Sequence, residues 1–418
     1  MSKRESKILE FKSDISNSFL KTVSAYANYG TGKIIFGIDD SGETVGLKDL
    51  QENCLSIENK INDNIKPLPK YTLSMDKKSK TIILEVSEGM YKPYLYKNKA
   101  YKRNDTSTIE ADRLEYNRLV LEGANQNYEE LPSTNQNLTF SSLETQLKEK
   151  LGIEKVTMDI FKTLELFSEK NGYNHAAEIL ADNNSIEGLD IVRFGKNMDE
   201  FLERETMQGS ILEQYEKAIA LYKKNYQYEI IDGAQRQPRE KIPEKAFREA
   251  VANAIVHRTW DTKVHIRILM HEDKIEIISP GGLMSGISEE EYLRGQISLL
   301  RNPILANVFF RLRYIEKFGT GIRRINYSYE NSIIKPEYQI YENSITIILP
   351  LFDEEKEVLS ADEKAIFDLL NGRSLSRAEI QTQSRMNKDK VIRILNNLIE
   401  KNTIQRIGTG RGTKYKKI

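Results

Sequence analysis

The sequence predicts a multidomain α+β chain, and three observations carry that prediction. Two polar stretches poor in aliphatic residues, Gly123 to Asn137 (GANQNYEELPSTNQN) and Asp353 to Glu357 (DEEKE), read as linkers. The blocks before and between them mix helical periodicity with short apolar runs of strand character. The block after the second linker is helix-rich and ends on a basic run with no acid in it. The expected division is 1–122, a linker over 123–140, 141–352, a linker over 353–359, and 360–418.

The totals bound the answer. A chain of 418 residues has ample length for several cores. Lys+Arg and Asp+Glu both number 62, so any nucleic-acid affinity must come from local patches rather than from net charge. Hydrophobic content of 39% and charged content of 30% are those of an ordinary soluble protein. The single cysteine, Cys54, excludes an internal disulfide and a cysteine-based zinc cluster. No apolar run approaches the roughly 18 residues of a membrane span, and MSKRESKILEFK lacks a signal-like apolar segment. A reducing cytoplasm and no membrane partner are expected.

In the first block, Ser16 to Asn28 carries Phe19, Leu20, Val23 and Ala27 on one helical face. Lys33 to Ile38 reads as a buried strand that turns at Asp39-Asp40-Ser41-Gly42. A second helix spans about Asp49 to Asn64, with strands near Tyr71 to Met75, Thr81 to Val86 and Ala100 to Arg103. The stretch Tyr91 to Arg103 interleaves tyrosines with basic residues and contains no acid. That composition suits stacked bases and phosphates, or else a hairpin whose tyrosines pack on the sheet.

Glu5-x4-Glu10-Phe11-Lys12, then SAYANYGTGKIIFGIDDSG, then Tyr101-Lys102-Arg103 resemble the AlbA-like domain of the Schlafen family. The resemblance implies a nucleic-acid-binding unit in which Lys12 and Arg103 touch the nucleic acid. In the family's nuclease members, an acidic trio binds a divalent metal and cuts RNA; the matching residues here are Glu5, Glu10 and Asp40. Three converging carboxylates repel one another unless a cation sits among them. Asp39 to Gly42 is equally a β-turn sequence.

The second block is expected to open with helices over Leu143 to Leu151, Thr157 to Ser168 and Met198 to Tyr226, with a short strand at Leu189 to Phe194. Its centre is the helix EKAFREAVANAIVHRTWD from Glu244, where Ala246, Phe247, Ala250, Val251, Ala254 and Ile255 form one apolar stripe. Glu249 and Asn253, four apart, share another face. The Asn253 amide oxygen is a hard ligand suited to Mg2+, and Glu249 is placed to orient or deprotonate a water. His257 and Arg258 close the helix, where the helix dipole favours a cation whether or not it meets a ligand. An alternating hairpin follows, with its turn at His271 to Lys274, and then the loop Ser279-Pro280-Gly281-Gly282. A helical region from Ser285 to Arg313 is broken at Arg301-Asn302-Pro303, and Arg301 is a candidate phosphate contact. A second glycine loop, Gly319-Thr320-Gly321, precedes another helix. Glycine allows close backbone approach to a phosphate, and a helix start supplies free N–H donors.

This order of Glu/Asn helix, hairpin, glycine loop, second glycine loop and helix resembles the GHKL ATPases, and more closely their divergent RecG-like branch. The carrying motifs are REAVANAIVHRTW, ISPGGL, RNP and EKFGTGI. The resemblance implies a Bergerat-like α/β sandwich that binds ATP or another nucleotide with Mg2+ or Mn2+. Ser279 stands where the GHKL pattern has an Asp that holds the adenine amino group.

Residues 360–418 read as a winged helix-turn-helix. Helices are expected over Asp362 to Leu370, Arg377 to Thr382 and Asn387 to about Lys401, the second capped by Ser376. Val391, Ile394, Leu395 and Leu398 form the buried stripe of the third, while Lys390, Arg393 and Asn397 are spaced to face a major groove. Arg406, Arg411 and Lys414 belong to a basic hairpin wing. The functional expectation is a nucleotide-responsive, DNA-binding transcriptional regulator acting as a homo-oligomer. The alternatives are a metal-dependent endoribonuclease of the Schlafen type, acting on tRNA or rRNA or in phage defence and gated by nucleotide, and an ATP-hydrolysing switch.

Overall fold

The computed structural model describes residues 4–232, 235–284, 286–295, 299–316, 319–330, 332, 334–351, 359–401 and 403–417; the side chains of Asp232 and Arg411 lie outside the description. The chain forms two compact units, Met1–Glu130 and Leu131–Ile418, both mixing helices and sheets.

In the first unit, β1 (Leu9–Lys12), β2 (Gly32–Phe36), β3 (Tyr71–Asp76) and β4 (Thr81–Val86) form one sheet in the order β1-β2-β4-β3. The β1–β2 pair is parallel, because α1 (Phe19–Tyr29) crosses between them. Phe19, Leu20, Val23 and Ala27 of α1 are all buried and meet Ile34, Phe36, Ile82 and Leu84 from the sheet, as the apolar periodicities require. Ile57 and Ile61 of α2 (Leu50–Asn64) close the same core. A hairpin of β5 (Tyr101–Asn104) and β6 (Ser107–Glu110) leads into α3 (Arg113–Gly123), which starts on a capping box between Asp112 and Glu115.

The second unit begins with α4 (Ser141–Leu151), whose first N–H groups at Ser141 and Ser142 donate to the Asp182 carboxylate at 2.7 and 2.9 Å. The helix expected to Ser168 is only α5 (Met158–Thr163); Phe167–Ser168 instead pairs with Gly172–Tyr173. The expected strand is present as β7 (Leu189–Phe194). The helix expected from Met198 is also corrected. Residues Phe201–Thr206 form β8, an edge strand antiparallel to β7, and α6 covers only Ile211–Tyr226. Sheet pairing overrides the helical propensity of this charged segment, and Gly209 with φ +83° separates strand from helix.

A six-stranded sheet carries the rest. Its members β9 (Ile266–Met270), β10 (Lys274–Pro280), β11 (Glu337–Ile340) and β12 (Ser344–Pro350) join β7 and β8 in the order β8-β7-β9-β10-β12-β11. Only the β7–β9 pair is parallel. The central helix α7 (Glu244–His257) packs its buried Ala246, Phe247, Ala250, Val251 and Ile255 stripe inward. Around it lie α8 (Glu289–Arg294), α9 (Pro303–Arg311) and α10 (Gly321–Ser328).

The C-terminal block has its own core, built from Leu359, Ile366, Leu370, Leu375, Ile380, Val391, Ile394, Leu395, Leu398 and Ile404. Its helices are α11 (Ala361–Leu369), α12 (Arg377–Ser384) and α13 (Lys388–Glu400), followed by the hairpin β13 (Ile404–Ile407) and β14 (Lys414–Lys417). Ser360 and Ser376 form capping boxes with Glu363 and Glu379. Among the described residues no helix is long and apolar enough to cross a membrane.

Candidate functional site

Glu249, Asn253 and His257 recur every four residues along α7 and therefore share a face. The first turn of α10 lies across that face. A Cβ added to Gly321 would collide with the Asn253 amide and come within 2.8 Å of Glu249 Oε1, so a larger residue here displaces those two side chains. Two adjoining cavities meet here, both lined by Asn253, His257, Gly319 and Gly321. One adds Gly282 and Arg301 as polar lining, with Met284, Tyr292, Ile322 and Ile345 as apolar lining. The other adds Glu249, Asn307, Glu316 and Thr320, with Val256 and Phe310 as apolar lining.

The electrostatics differ between the two. Burial, reinforced by Arg301, pushes the His257 imidazole down to about 4, so it is neutral at pH 7. Arg301 Nη2 donates to the Gly282 carbonyl at 2.8 Å, which ties the cation to the first glycine loop. Burial also raises the Glu249 carboxyl above its ordinary value; Arg324, with Nη1 3.7 Å away, opposes that rise and Glu316 adds to it. One cavity thus presents a cation and the other two carboxylates, with the Asn253 amide at their junction.

Hard oxygen donors at Asn253 and Glu249, a guanidinium at Arg301 and backbone N–H groups at the start of α10 fit a magnesium-bound polyphosphate. The remaining motif residues have other partners. Arg258 is fully buried, donates to the carbonyls of Glu187 at 2.7 Å, Thr262 at 3.2 Å and Val264 at 2.7 Å, and stacks over Trp260. It holds the turn after α7 and does not line the cavities, which corrects its expected ligand role. Asn302 is likewise buried, donating to the Val256 and Arg258 carbonyls at 3.0 and 2.8 Å. The Ser279 hydroxyl donates to the Ala254 carbonyl at 3.0 Å. Gly281 and Gly282 are required by protein packing: a Cβ would meet Thr259 Cγ2 at 2.8 Å in the first case and the Tyr341 carbonyl at 2.8 Å in the second.

The first unit departs furthest from expectation. Glu10 is buried and saturated: its carboxylate pairs with Arg103, lies 2.7 Å from Lys12 Nζ, and accepts the Thr22 hydroxyl at 2.6 Å. Glu5 Oε1 accepts the Phe11 N–H at 2.8 Å. Asp40 is exposed in a turn organised by Asp39, whose Oδ1 accepts from Ser41 N at 3.0 Å and Glu43 N at 2.9 Å. Among the described residues no three acidic, His or Cys side chains are grouped to hold a metal ion. The trio expected to share a metal is not brought together: Glu10 carries two internal cations, Arg103 and Lys12, while Glu5 and Asp40 have the separate settings just given. Arg103 is buried and also bonded to Thr108 at 2.9 Å, so it is not a nucleic-acid contact.

The aromatic–basic stretch has the same fate. Lys92 pairs with Glu88 and Glu122, Lys99 with Glu110 and Lys102 with Glu115. Tyr94, Tyr96 and Tyr101 are core residues, whereas Tyr91 is exposed. The acids Glu88, Glu110, Glu115 and Glu122 all lie outside 91–103, so the run itself is basic while its charges are paired.

On the C-terminal block, Arg393 and Asn397 are exposed four residues apart on α13. Lys390 is bound to Asp362 at 2.7 Å and is not a free groove contact. Arg406 and Lys414 are exposed, but the β13–β14 register sets them on opposite faces of the hairpin. The Arg411 side chain lies outside the described residues. Tyr292, Asn307 and Ile345 line the cavities without a sequence signal; nothing in their local pattern separates them from core residues.

Residues 5–112 match the family described as "Schlafen, AlbA_2". Residues 263–349 match the family described as "Putative ATP-dependent DNA helicase recG C-terminal". No curated protein matches the chain significantly. Among solved structures, the chain is similar to the DIP2311 protein from Corynebacterium diphtheriae. The TM-score is 0.51 at 18% identity, over 99% of this chain and 92% of that one, a likeness of fold. The chain therefore joins a Schlafen/AlbA_2 domain to a domain of the RecG C-terminal, ATPase-like type.

Proposed function

We propose that this chain is a nucleotide-responsive DNA-binding regulator. The observation that carries the reading is the convergence of Asn253, His257, Arg301, Gly319 and Gly321 on one pair of adjoining cavities. Magnesium, when bound, screens the phosphate charges. Asn253 would offer it an amide oxygen, Arg301 would supply the cation for the phosphates, and neutral His257 would add a hydrogen bond without further charge. Glu249, with its raised carboxyl, is the group placed to accept a proton from water. The match to the RecG C-terminal family supports the nucleotide part of the reading.

The C-terminal order of helix, short strand, two helices and hairpin supports a winged helix, with α13 as the reading helix and Arg393 and Asn397 as its outward residues. Two-fold pairing of such reading heads is part of the proposal and makes the regulator a homo-oligomer. The saturated Glu10 carboxylate weighs against the endoribonuclease alternative.

Titration calorimetry of the full chain with ATP and MgCl2 tests the nucleotide reading. Asn253→Ala is expected to weaken binding at least tenfold, about 1.4 kcal/mol. Wild type and variant binding equally, or neither binding, would reject it.

A further inference from the structure

We infer that α10 is a lever between the Glu249/Asn253 face and the C-terminal block; this rests on the nucleotide reading above. One end of the helix is Gly321, seated directly on the Asn253 amide and Glu249. A phosphate or metal held at that amide sits against Gly321, because both line the same cavities. One turn on, Arg324 lies 3.7 Å from Glu249 and 3.8 Å from Glu316, so the same helix also carries the counter-charge of the site. Neither distance is that of a tight pair, and Arg324 can follow the helix as it moves.

The other end of α10 is anchored. Lys335 Nζ caps it by donating to the Tyr329 and Glu330 carbonyls at 2.6 and 3.0 Å, and the Tyr329 hydroxyl donates to the Pro350 carbonyl at 2.9 Å. The Glu330 carboxylate then reaches Lys364 Nζ, on α11, at 3.3 Å. Lys364 and Glu330 are both partly exposed, so this link is weak enough to break and reform. The C-terminal core draws its members from 359 onward, so α11 belongs to a cluster of its own. The eight residues of α10 span roughly 12 Å at 1.5 Å per residue. A ligand that displaces the first turn pivots α10 about this anchor, and the pivot changes the angle at which the Glu330 carboxylate meets Lys364 on α11. Nucleotide occupancy is thereby read by the block that carries Arg393 and Asn397.

Hydrogen–deuterium exchange on the full chain tests the lever, with MgATP binding followed in parallel by calorimetry. In the wild type, bound MgATP is expected to change protection about threefold or more in both 321–328 and 361–369. In Glu330→Gln, the first segment should still respond and the second should not. Gly321→Ala, which pushes the helix off Asn253, should change protection in 361–369 without nucleotide. Binding with no change in 321–328, or an undiminished response of 361–369 in Glu330→Gln, overturns the lever and leaves the nucleotide reading standing. Absence of calorimetric binding overturns the nucleotide reading. The lever itself then stands or falls on Gly321→Ala, and if that variant does not fold, on whether Glu330→Gln changes protection in 361–369.

Discussion

Glu249 is a carboxyl whose folded environment favours its proton. Burial raises its folded pKa above the ordinary value of 4.5, and Arg324 offsets only part of that. Between the unfolded and folded values, the folded state binds more protons than the unfolded one. The stabilising contribution is therefore fully present below the unfolded value and lost as pH rises through the folded one. Glu249→Gln, which keeps the shape without the charge, is expected to raise the urea midpoint at pH 8. That gain should vanish near pH 4, and an equal gain at both pH values would contradict the assignment. The arginines teach a related lesson. Arg258 and Arg301 are alike as sequence candidates for phosphate, yet one is spent on three buried carbonyls and the other lines the cavity beside Gly282.

Helices in the C-terminal block are defined by their caps more than by their propensity. The Ser376 side chain accepts the Glu379 N–H while Glu379 returns to the Ser376 N–H at 2.7 Å, starting α12 at Arg377. Ser376→Ala is expected to cost about 1 kcal/mol, seen as a roughly fivefold loss of exchange protection across 377–384; unchanged protection there would mean that packing alone holds α12. Elements without such signals are settled by pairing instead. The segment over 201–206 lies within the expected helix from Met198, but its backbone pairs along β7. The wing is one-sided in composition, and the pleat of β13 and β14 divides Arg406 and Lys414 between two faces.

At the scale of the molecule, net charge is zero, so the proposed DNA affinity belongs to a local surface. Arg393→Ala is expected to weaken duplex binding across sequences and to lower the slope of log affinity against log salt by about 1. A slope equal to that of the wild type would remove α13 from the interface. The Schlafen/AlbA_2 domain is expected to add little to that slope, because Lys92, Lys99, Lys102 and Arg103 are already neutralised.

The sequence by itself determined the periodic elements, the glycine loops and the helix caps, because each depends on residues within a turn or a strand of one another. It also placed Glu249 and Asn253 on one face, since four residues make about one helical turn. Only the tertiary structure decided which charges are available. Glu10 and Arg103 are 93 positions apart in the chain, and their pairing turns an apparent metal site into a closed internal salt bridge. Arg301 and Gly321 reach the Asn253 face from separate segments in the same way. Charge and access are properties of neighbours in space, and those neighbours lie beyond any local window.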